Sequence, residues 1–364
     1  MFSESEIIQY SRHFILPSVG QGGQQKLKKS KVLCVGAGGL GVPVLSYLVA
    51  AGVGTIGIID GDVVELSNLQ RQVLYAQQDI GKPKAECAKN RLNQLNKNIN
   101  IVAYSERLTK KNALQLIMSY DIIVDGTDNF SSRYLINDAC YTLNKPMVYG
   151  SIFQFEGQCS VFLRNKGPCY RCLFPNIPEG YVPNCSEAGV LSVLPGIIGC
   201  IQANEVIKLI LETGKPLVGK LLCLDSLSMD TTKFDIASSK QCVLCSGKKE
   251  FAEMVYEGDY FCQAYNIPVI DLQELRDIQA RSEPLVLLDI RDYIEHEVFS
   301  LGGICIPLNE LKQRIHELDK KKKIIVYCSI GALSKTAAAL LKDAGFEQVF
   351  SLKDGVLEIK MISD

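Results

Sequence analysis

Apolar residues fall into short runs separated by stretches with a helical repeat. From Lys31 the chain reads KVLCVGAGGLGVPVLSYLVAAGVGTIGIIDGD, a β-branched run, a glycine-rich turn, an apolar helical pattern and a second apolar run ending at Asp60. This pattern predicts a strand, helix, strand unit of about 30 residues. The alternation continues through Ile99–Tyr104, a helical segment around Asn112–Ser119, IIVD ending at Asp125, and Pro146–Gly150. Buried-strand runs alternating with helices predict an α/β fold with a mostly parallel, doubly wound, Rossmann-like sheet. After Gly150 the texture changes: EGQCSVFL predicts antiparallel strands, which makes the sheet mixed, and Gly199–Thr213 predicts a helix. A first domain is expected over residues 1–246.

Residues 247–266 carry mixed charge without a clean period and read as a linker. A smaller α/β domain follows over 267–364, with strands at Leu285–Ile290 and Lys323–Cys328 and helices at Asn309–Leu318 and Leu333–Ala344. The basic run Lys320–Lys323 reads as a solvated loop before a strand.

Composition narrows the class. The chain has 364 residues, 39 Lys plus Arg against 40 Asp plus Glu, 47% hydrophobic and 22% charged residues. That is enough apolar surface for folded domains, and the balanced charge offers no field to hold a nucleic acid. The start carries no basic stretch followed by an apolar core, and apolar runs are broken short of a span, so neither an export signal nor a membrane partner is expected. Fourteen cysteines without an export signal point to metal ligands or nucleophiles in the reducing cytoplasm.

Gly36, Gly38, Gly39 and Gly41 lie where a strand turns into a helix. Backbone there can approach a phosphate without Cβ interference while helix N–H groups point at it. Asp60, about 20 residues on, suits a ribose hydroxyl. These features alone fit a nicotinamide or flavin enzyme equally well. The sequence that follows, DGDVVELSNLQRQ from Asp60 to Gln72, KPK at Lys82–Lys84 and DGTDN at Asp125–Asn129, concentrates cations and carboxylates as adenylyl transfer requires. Arg71 and Lys84 would neutralise triphosphate oxygens, Asp128 offers a hard oxygen ligand for Mg²⁺, and Asn68 would bond a phosphate or ribose oxygen.

GAGGLG, SNLQRQ, GKPK and DGTDN, in that order over Ser5–Ser246, resemble the ubiquitin-activating-like adenylyltransferases of the molybdopterin-synthase adenylyltransferase and ThiF family. The resemblance implies that Gly39, Asp60, Ser67, Asn68, Leu69, Gln70, Arg71, Lys84, Asp128 and Asn129 bind ATP and its magnesium. It also implies a homodimer in which Arg12 of YSRH reaches the partner's ATP.

CYRC at Cys169 and Cys172 and CVLC at Cys242 and Cys245 supply four soft thiolates, enough to close a tetrahedron on Zn²⁺ with no open position, hence a structural metal. A redox role for either pair, or four unrelated core thiols, are the alternatives, and the family resemblance carries a matching tetrad.

Cys185 sits in VPNCSEAGVLSVLPGIIG, where a mobile loop thiol would attack an activated acyl group or serve as an ordinary loop residue. The family places a cysteine here that links to the carrier in some members. Cys328 ends the strand KIIVYC and opens the helical SIGALSKTAAALL, facing backbone N–H groups that favour a thiolate. With LLDIRDYIEHE upstream and SLKDGV downstream, Ile267–Asp364 resembles a rhodanese domain, which implies a persulfide on Cys328. The loop Ser329–Leu333 departs from the rhodanese pattern by lacking a basic residue, with Lys335 the nearest cation in sequence.

The two resemblances imply one chemistry: ATP activates the C-terminal carboxylate of a ubiquitin-like sulfur-carrier protein ending in Gly-Gly, and sulfur from Cys328, supplied by a persulfide donor such as a cysteine desulfurase, converts it to a thiocarboxylate. A non-catalytic docking scaffold and a nicotinamide-dependent oxidoreductase are the rival readings. The pathway is open among molybdenum cofactor, thiamine, cysteine or other thio-metabolite synthesis and tRNA thiolation.

Overall fold

The structure, a computed structural model, describes residues 2–175, 189–254, 256, 267–281, 284–329, 331–353 and 355–356. These fall into two compact units, the first ending at Tyr256 and the second running from Ile267.

The first unit holds eight strands: β1 Lys31–Val35, β2 Thr55–Ile59, β3 Asn100–Tyr104, β4 Ile122–Asp125, β5 Met147–Phe153, β6 Glu156–Phe162, β7 Lys220–Asp225 and β8 Thr231–Asp235. They form one sheet in the order β3-β2-β1-β4-β5-β6-β7-β8. Pairs from β3 to β5 are parallel and those from β5 to β8 antiparallel, the mixed doubly wound sheet expected from the pattern. A parallel strand covered on both faces must be apolar at every position, which is why VLCV of β1 is an unbroken run. Val32 and Cys34 join one core with the helices Gly41–Ala51, Lys84–Leu95 and Leu194–Leu211, while Leu33 and Val35 join another with Ala113–Met118 and Phe130–Thr142.

The helix expected over Gly199–Thr213 starts earlier, at Leu194, and ends at Leu211. Pro195 sits in its first turn, where its missing N–H costs nothing. This helix is long and apolar enough to cross a membrane by length and composition. Its buried residues, among them Leu194, Ile198, Ala203 and Val206, are core residues of the first unit, and Glu205 accepts the buried amide of Leu217. Gly199 lets the helix approach the turn before Gly41–Ala51, since a Cβ there would overlap Pro43 and the Leu40 carbonyl.

The linker expected from Gly247 begins later. Phe251 and Met254 are buried in the first unit, Lys110 Nζ donates to the Ala252 and Met254 carbonyls at 2.7 Å, and the Tyr256 hydroxyl donates to Asp138 at 2.7 Å. Apolar residues spaced among charges dock this segment without giving it a periodic signature.

The second unit has five parallel strands, β9 Val269–Ile270, β10 Leu285–Asp289, β11 Ile304–Cys305, β12 Lys323–Tyr327 and β13 Val349–Leu352, in the order β11-β10-β12-β13-β9. The helix expected over Asn309–Leu318 is Leu308–Arg314 followed by a 3₁₀ turn, Ile315–Glu317. The last long helix is Ala332–Asp343. Central β12 is buried from Ile324 onward and delivers the chain to Cys328.

Candidate functional site

At the end of β1 the backbone turns sharply. Gly36 has φ +94°, a conformation that disfavours any side chain, and a Cβ on Gly41 would overlap the Gly36 carbonyl oxygen. The turn is fixed from three sides: Gly36 N donates to Ile59 O at 2.8 Å, Gly126 N to Val35 O at 2.8 Å, and the Tyr75 hydroxyl to Ala37 O at 2.7 Å. The helix Gly41–Ala51 follows directly, so its N-terminal end, the positive end of the helix dipole, opens onto this turn.

Asp60, just past β2, accepts from Ala37 N at 2.7 Å and from Asp62 N at 2.8 Å. Burial raises its carboxyl above the usual range, against the lowering effect of those two amides and of the Lys84 charge. Lys84 is buried at the start of the helix Lys84–Leu95, with Nζ 3.5 Å from Asp62 Oδ2. A buried ammonium whose nearest carboxylate belongs to the exposed Asp62 suits an incoming anion.

SNLQRQ folds as a chain of turns. Leu66–Asn68 is one 3₁₀ turn; the buried Asn68 accepts from Glu65 N at 3.3 Å and its amide nitrogen lies 3.4 Å from Ser67 Oγ. Arg71 is tethered to the Ser67 carbonyl at 3.1 Å and its Cδ approaches Gly39, so Arg71 stands over the glycine turn. Leu69 packs against the hydrophobic core, whereas Gln70 lines an apolar groove of about 800 Å³ with Arg71, Pro43, Val193, Ile197 and Cys200.

DGTDN leaves the end of β4. Asp128 is exposed on the loop, and Asn129 caps the helix Phe130–Thr142 by accepting from Ser132 N at 2.8 Å. Asp125 Oδ1 accepts from the amide and hydroxyl of Thr127 at 3.0 and 2.6 Å. Burial pushes this carboxyl up to about 6, against the lowering influence of Arg133 and Thr127. Arg12 stands exposed on the short helix Ser11–Phe14, which is tied to the next helix by His13 and Gln24 at 2.8 Å.

Two residues bracing this site, Arg133 and Gln202, lie outside the motifs, and a third, Gln72, ends SNLQRQ, where the sequence assigns it no role. Arg133 donates to the Thr127 carbonyl at 3.2 Å, and Gln202 Nε2 donates to the Asp125 carbonyl at 2.7 Å, so two side chains from different helices hold the loop that presents Asp128. Gln72 is buried near Gly38, and its Oε1 has no hydrogen-bond partner among the described residues. A buried orphan amide oxygen beside a phosphate-type turn fits a ligand that supplies the missing donor. The available signal was a polar residue within an apolar pattern, as for Gln202 in LPGIIGCIQANEVIKLIL.

The four CxxC thiols converge. Cys169, Cys172, Cys242 and Cys245 place their sulfurs within 4.8 Å of one another, with pairs at 3.3, 3.5, 3.6 and 3.8 Å. Bonds of about 2.3 Å to one zinc would set tetrahedral edges of about 3.8 Å, so the donor set and spacing fit that ion. Hydrogen bonds from Cys169 and Cys245 push the Cys242 thiol down, toward the thiolate a metal needs. The first knuckle is pinned by the helix Phe130–Thr142: Asp138, 0% exposed, receives Arg171 at 2.8 and 2.7 Å, and Asn137 accepts from Tyr170 N at 2.8 Å.

In the second unit Cys328 is 1% exposed, more enclosed than a loop nucleophile would suggest, and its sulfur lies 3.7 Å from Ser334 Oγ. Gly331, at φ +78°, precedes the helix Ala332–Asp343. Asp289, at the end of β10, binds Arg291 Nη2 at 2.6 Å and His296 Nδ1 at 2.8 Å. Burial alone would raise that carboxyl, but these two partners hold it below its usual range. Cys185 lies outside the described residues.

Comparison with known proteins supplies the family. The ThiF family matches residues 10–245, and a rhodanese-like domain matches 271–361. The chain belongs to the ThiF family. It is 49% identical over 268 residues to a sulfur carrier protein adenylyltransferase of Thermus thermophilus, covering 72% of this chain and 98% of the relative. It is 40% identical over 367 residues to a probable adenylyltransferase/sulfurtransferase, MoeZ, of Mycobacterium tuberculosis, covering 98% and 93%. Among solved structures, that of Escherichia coli MccB with ATP superimposes with a TM-score of 0.58 at 26% identity, over 65% of this chain and 74% of the other. This ThiF-family membership sets aside the nicotinamide reading of the glycine turn.

The Asp138–Arg171 pair yields a direct test. Asp138→Asn leaves Arg171 with a neutral partner in a buried site and should cost about 3 to 5 kcal/mol, read as a fall in the urea unfolding midpoint; an unchanged midpoint would show that the pair does not hold the knuckle.

Proposed function

We propose that this ThiF-family enzyme adenylylates the C-terminal carboxylate of a ubiquitin-like sulfur-carrier protein and then converts it to a thiocarboxylate with sulfur carried by its rhodanese-like domain. The observation that carries the reading is one glycine turn bordered by Asp60, Arg71 and Lys84 in a chain that also places a cysteine between a buried strand and a helix N-terminus.

ATP binds with phosphates over the turn and the start of the helix Gly41–Ala51, and its ribose on Asp60. The carrier's terminal carboxylate oxygen attacks the α-phosphorus, the bond to the bridging oxygen breaks, and pyrophosphate leaves. Arg71 and Lys84 offset the charge that builds on the phosphate oxygens, and Asp128, on the loop braced by Arg133 and Gln202, is the residue that would hold Mg²⁺. The ion would supply further charge neutralisation. A carrier tail ending in Gly-Gly has the slimness that a site built from glycines and turns admits.

The outer sulfur of a Cys328 persulfide then attacks the acyl carbon and AMP leaves, giving an acyl disulfide. A second thiol, for which Cys185 is the candidate, attacks the Cys328 sulfur, breaks the S–S bond and releases the thiocarboxylate. A cysteine desulfurase fits as the persulfide donor. Zinc on the cysteine tetrad is structural, since four thiolates leave no position for substrate. A homodimer is supported by the apolar groove at Gln70 and Arg71, flanked by the exposed Val73 and Val193.

Two measurements follow. Wild-type protein with ATP, Mg²⁺ and a Gly-Gly-ended carrier should exchange labelled pyrophosphate into ATP, and Asp128→Ala should lose about a hundredfold or more of that rate. Exchange unaffected by the substitution would remove Asp128 from the metal role, and no exchange in wild type would overturn adenylylation. Metal analysis should return about one zinc per chain, lost in Cys172→Ser with a lower melting temperature; natively folded protein free of zinc would refute the site.

A further inference from the structure

The sulfur of Cys328 must pass through anionic forms, yet Ser329–Leu333 carries no basic residue to hold it. What the structure places beneath that sulfur is a pair of neutral hydroxyls. Ser334 and Ser351, both 0% exposed, lie 2.8 Å apart, one on the helix Ala332–Asp343 and the other on β13. Ser334 Oγ also donates to the Gly331 carbonyl at 3.0 Å and accepts from the Cys328 thiol at 3.7 Å.

Counting hydrogens fixes the direction of every bond. A serine hydroxyl carries one hydrogen and two lone pairs. Ser334 spends its hydrogen on Gly331 O, so Ser351 is the donor in the 2.8 Å bond, and the two lone pairs of Ser334 take the hydrogens of Ser351 and Cys328. In the thiol state Ser334 is saturated. Removing the thiol proton reverses one bond: the sulfur becomes an acceptor, and Ser334 can turn its hydrogen from Gly331 O to the sulfur while Ser351 continues to donate to the Ser334 oxygen.

We propose that Ser334, supported by Ser351, is the positioning donor that holds Cys328 as thiolate and as persulfide, in place of the cation the loop lacks. The inference rests on the reading of Cys328 as the sulfur carrier. In the loading step the Cys328 thiolate attacks the outer sulfur of a donor persulfide, the donor S–S bond breaks, the donor leaves as a thiolate, and Cys328 becomes a persulfide. Both ends of this step place charge on sulfur, and a hydrogen bond to a charged group in a water-poor site is stronger than one between neutral groups. The same rotation frees the Gly331 carbonyl, so the loop in front of the sulfur senses whether sulfur is charged. The loop Ser329–Leu333 supplies no cation to attract a small sulfur-donor dianion such as thiosulfate, which favours delivery from a protein persulfide.

The test uses the full chain and reads alkylation of Cys328 by iodoacetamide through peptide mass, across pH. Ser334→Ala should slow alkylation near neutral pH about tenfold and move the pH of half-maximal rate upward, because one charge-assisted hydrogen bond is lost from the thiolate. Ser334→Thr keeps the hydroxyl and should restore the profile, and Ser351→Ala should move it in the same direction by less. A Ser334→Ala profile that coincides with wild type would overturn the proposal. Where Ser334→Ala melts below the assay temperature, the Ser351→Ala profile decides, and an unmoved one overturns it equally. Cys328→Ala separates the two levels: thiocarboxylate formed at the wild-type rate would refute Cys328 as carrier, whereas its loss alongside an unshifted Ser334→Ala profile would refute the hydroxyl pair alone.

Discussion

The helix Phe130–Thr142 brings buried polar residues into an apolar layer, and the first unit gives Arg133, Asn137 and Asp138 each a hydrogen-bond partner. A buried carboxylate without a counter-ion costs several kcal/mol, so Asp138 obliges Arg171, Asn137 and Tyr256 to converge on it. One turn earlier Arg133 reaches back to the Thr127 carbonyl, and at the helix start Asn129 closes the cap. A single rigid element therefore fixes the loop that carries Asp128 at one end and the knuckle of Cys169 and Cys172 toward the other. Zinc on the tetrad would stiffen the same element, which links a structural metal to the placement of a loop used in adenylyl transfer.

The two cysteine environments show how chemistry follows surroundings. Four thiols gathered within 4.8 Å cannot all ionise without a cation, so the donor set of that cluster fits a metal ion. Cys328 stands apart from any such cluster among the described residues and meets a helix start and a hydroxyl pair, neutral donors that tolerate a sulfur changing its charge and its load.

Much of this was legible in the sequence wherever the cause is local. GAGGLG between two apolar runs reads as a turn because only glycine accepts φ +94° at Gly36 and the contact at Gly41. Two CxxC pairs read as a metal site because three-residue spacing puts two thiols on one knuckle, although their 73-residue separation had to be closed by the fold. What escaped depends on distant partners. Gln202 braces Asp125 from 77 residues away, and Phe251, Met254 and Tyr256 dock on the first unit through contacts that leave no period. The helix expected from Gly199 starts at Leu194, with Pro195 in its first turn, the position where proline is tolerated. Leu69 sits inside a binding motif yet packs against the core, since motif adjacency does not determine which way a side chain points.

The central claim is that one chain both activates a carboxylate and supplies its sulfur. The direct measurement is the intact mass of a Gly-Gly-ended carrier incubated with the full chain, ATP, Mg²⁺, a persulfide donor and a thiol reductant. The account predicts a gain of about 16 Da, one oxygen replaced by sulfur, that requires ATP and disappears with Cys328→Ala. A carrier whose mass stays unchanged with wild-type protein, or rises equally with Cys328→Ala, would contradict it.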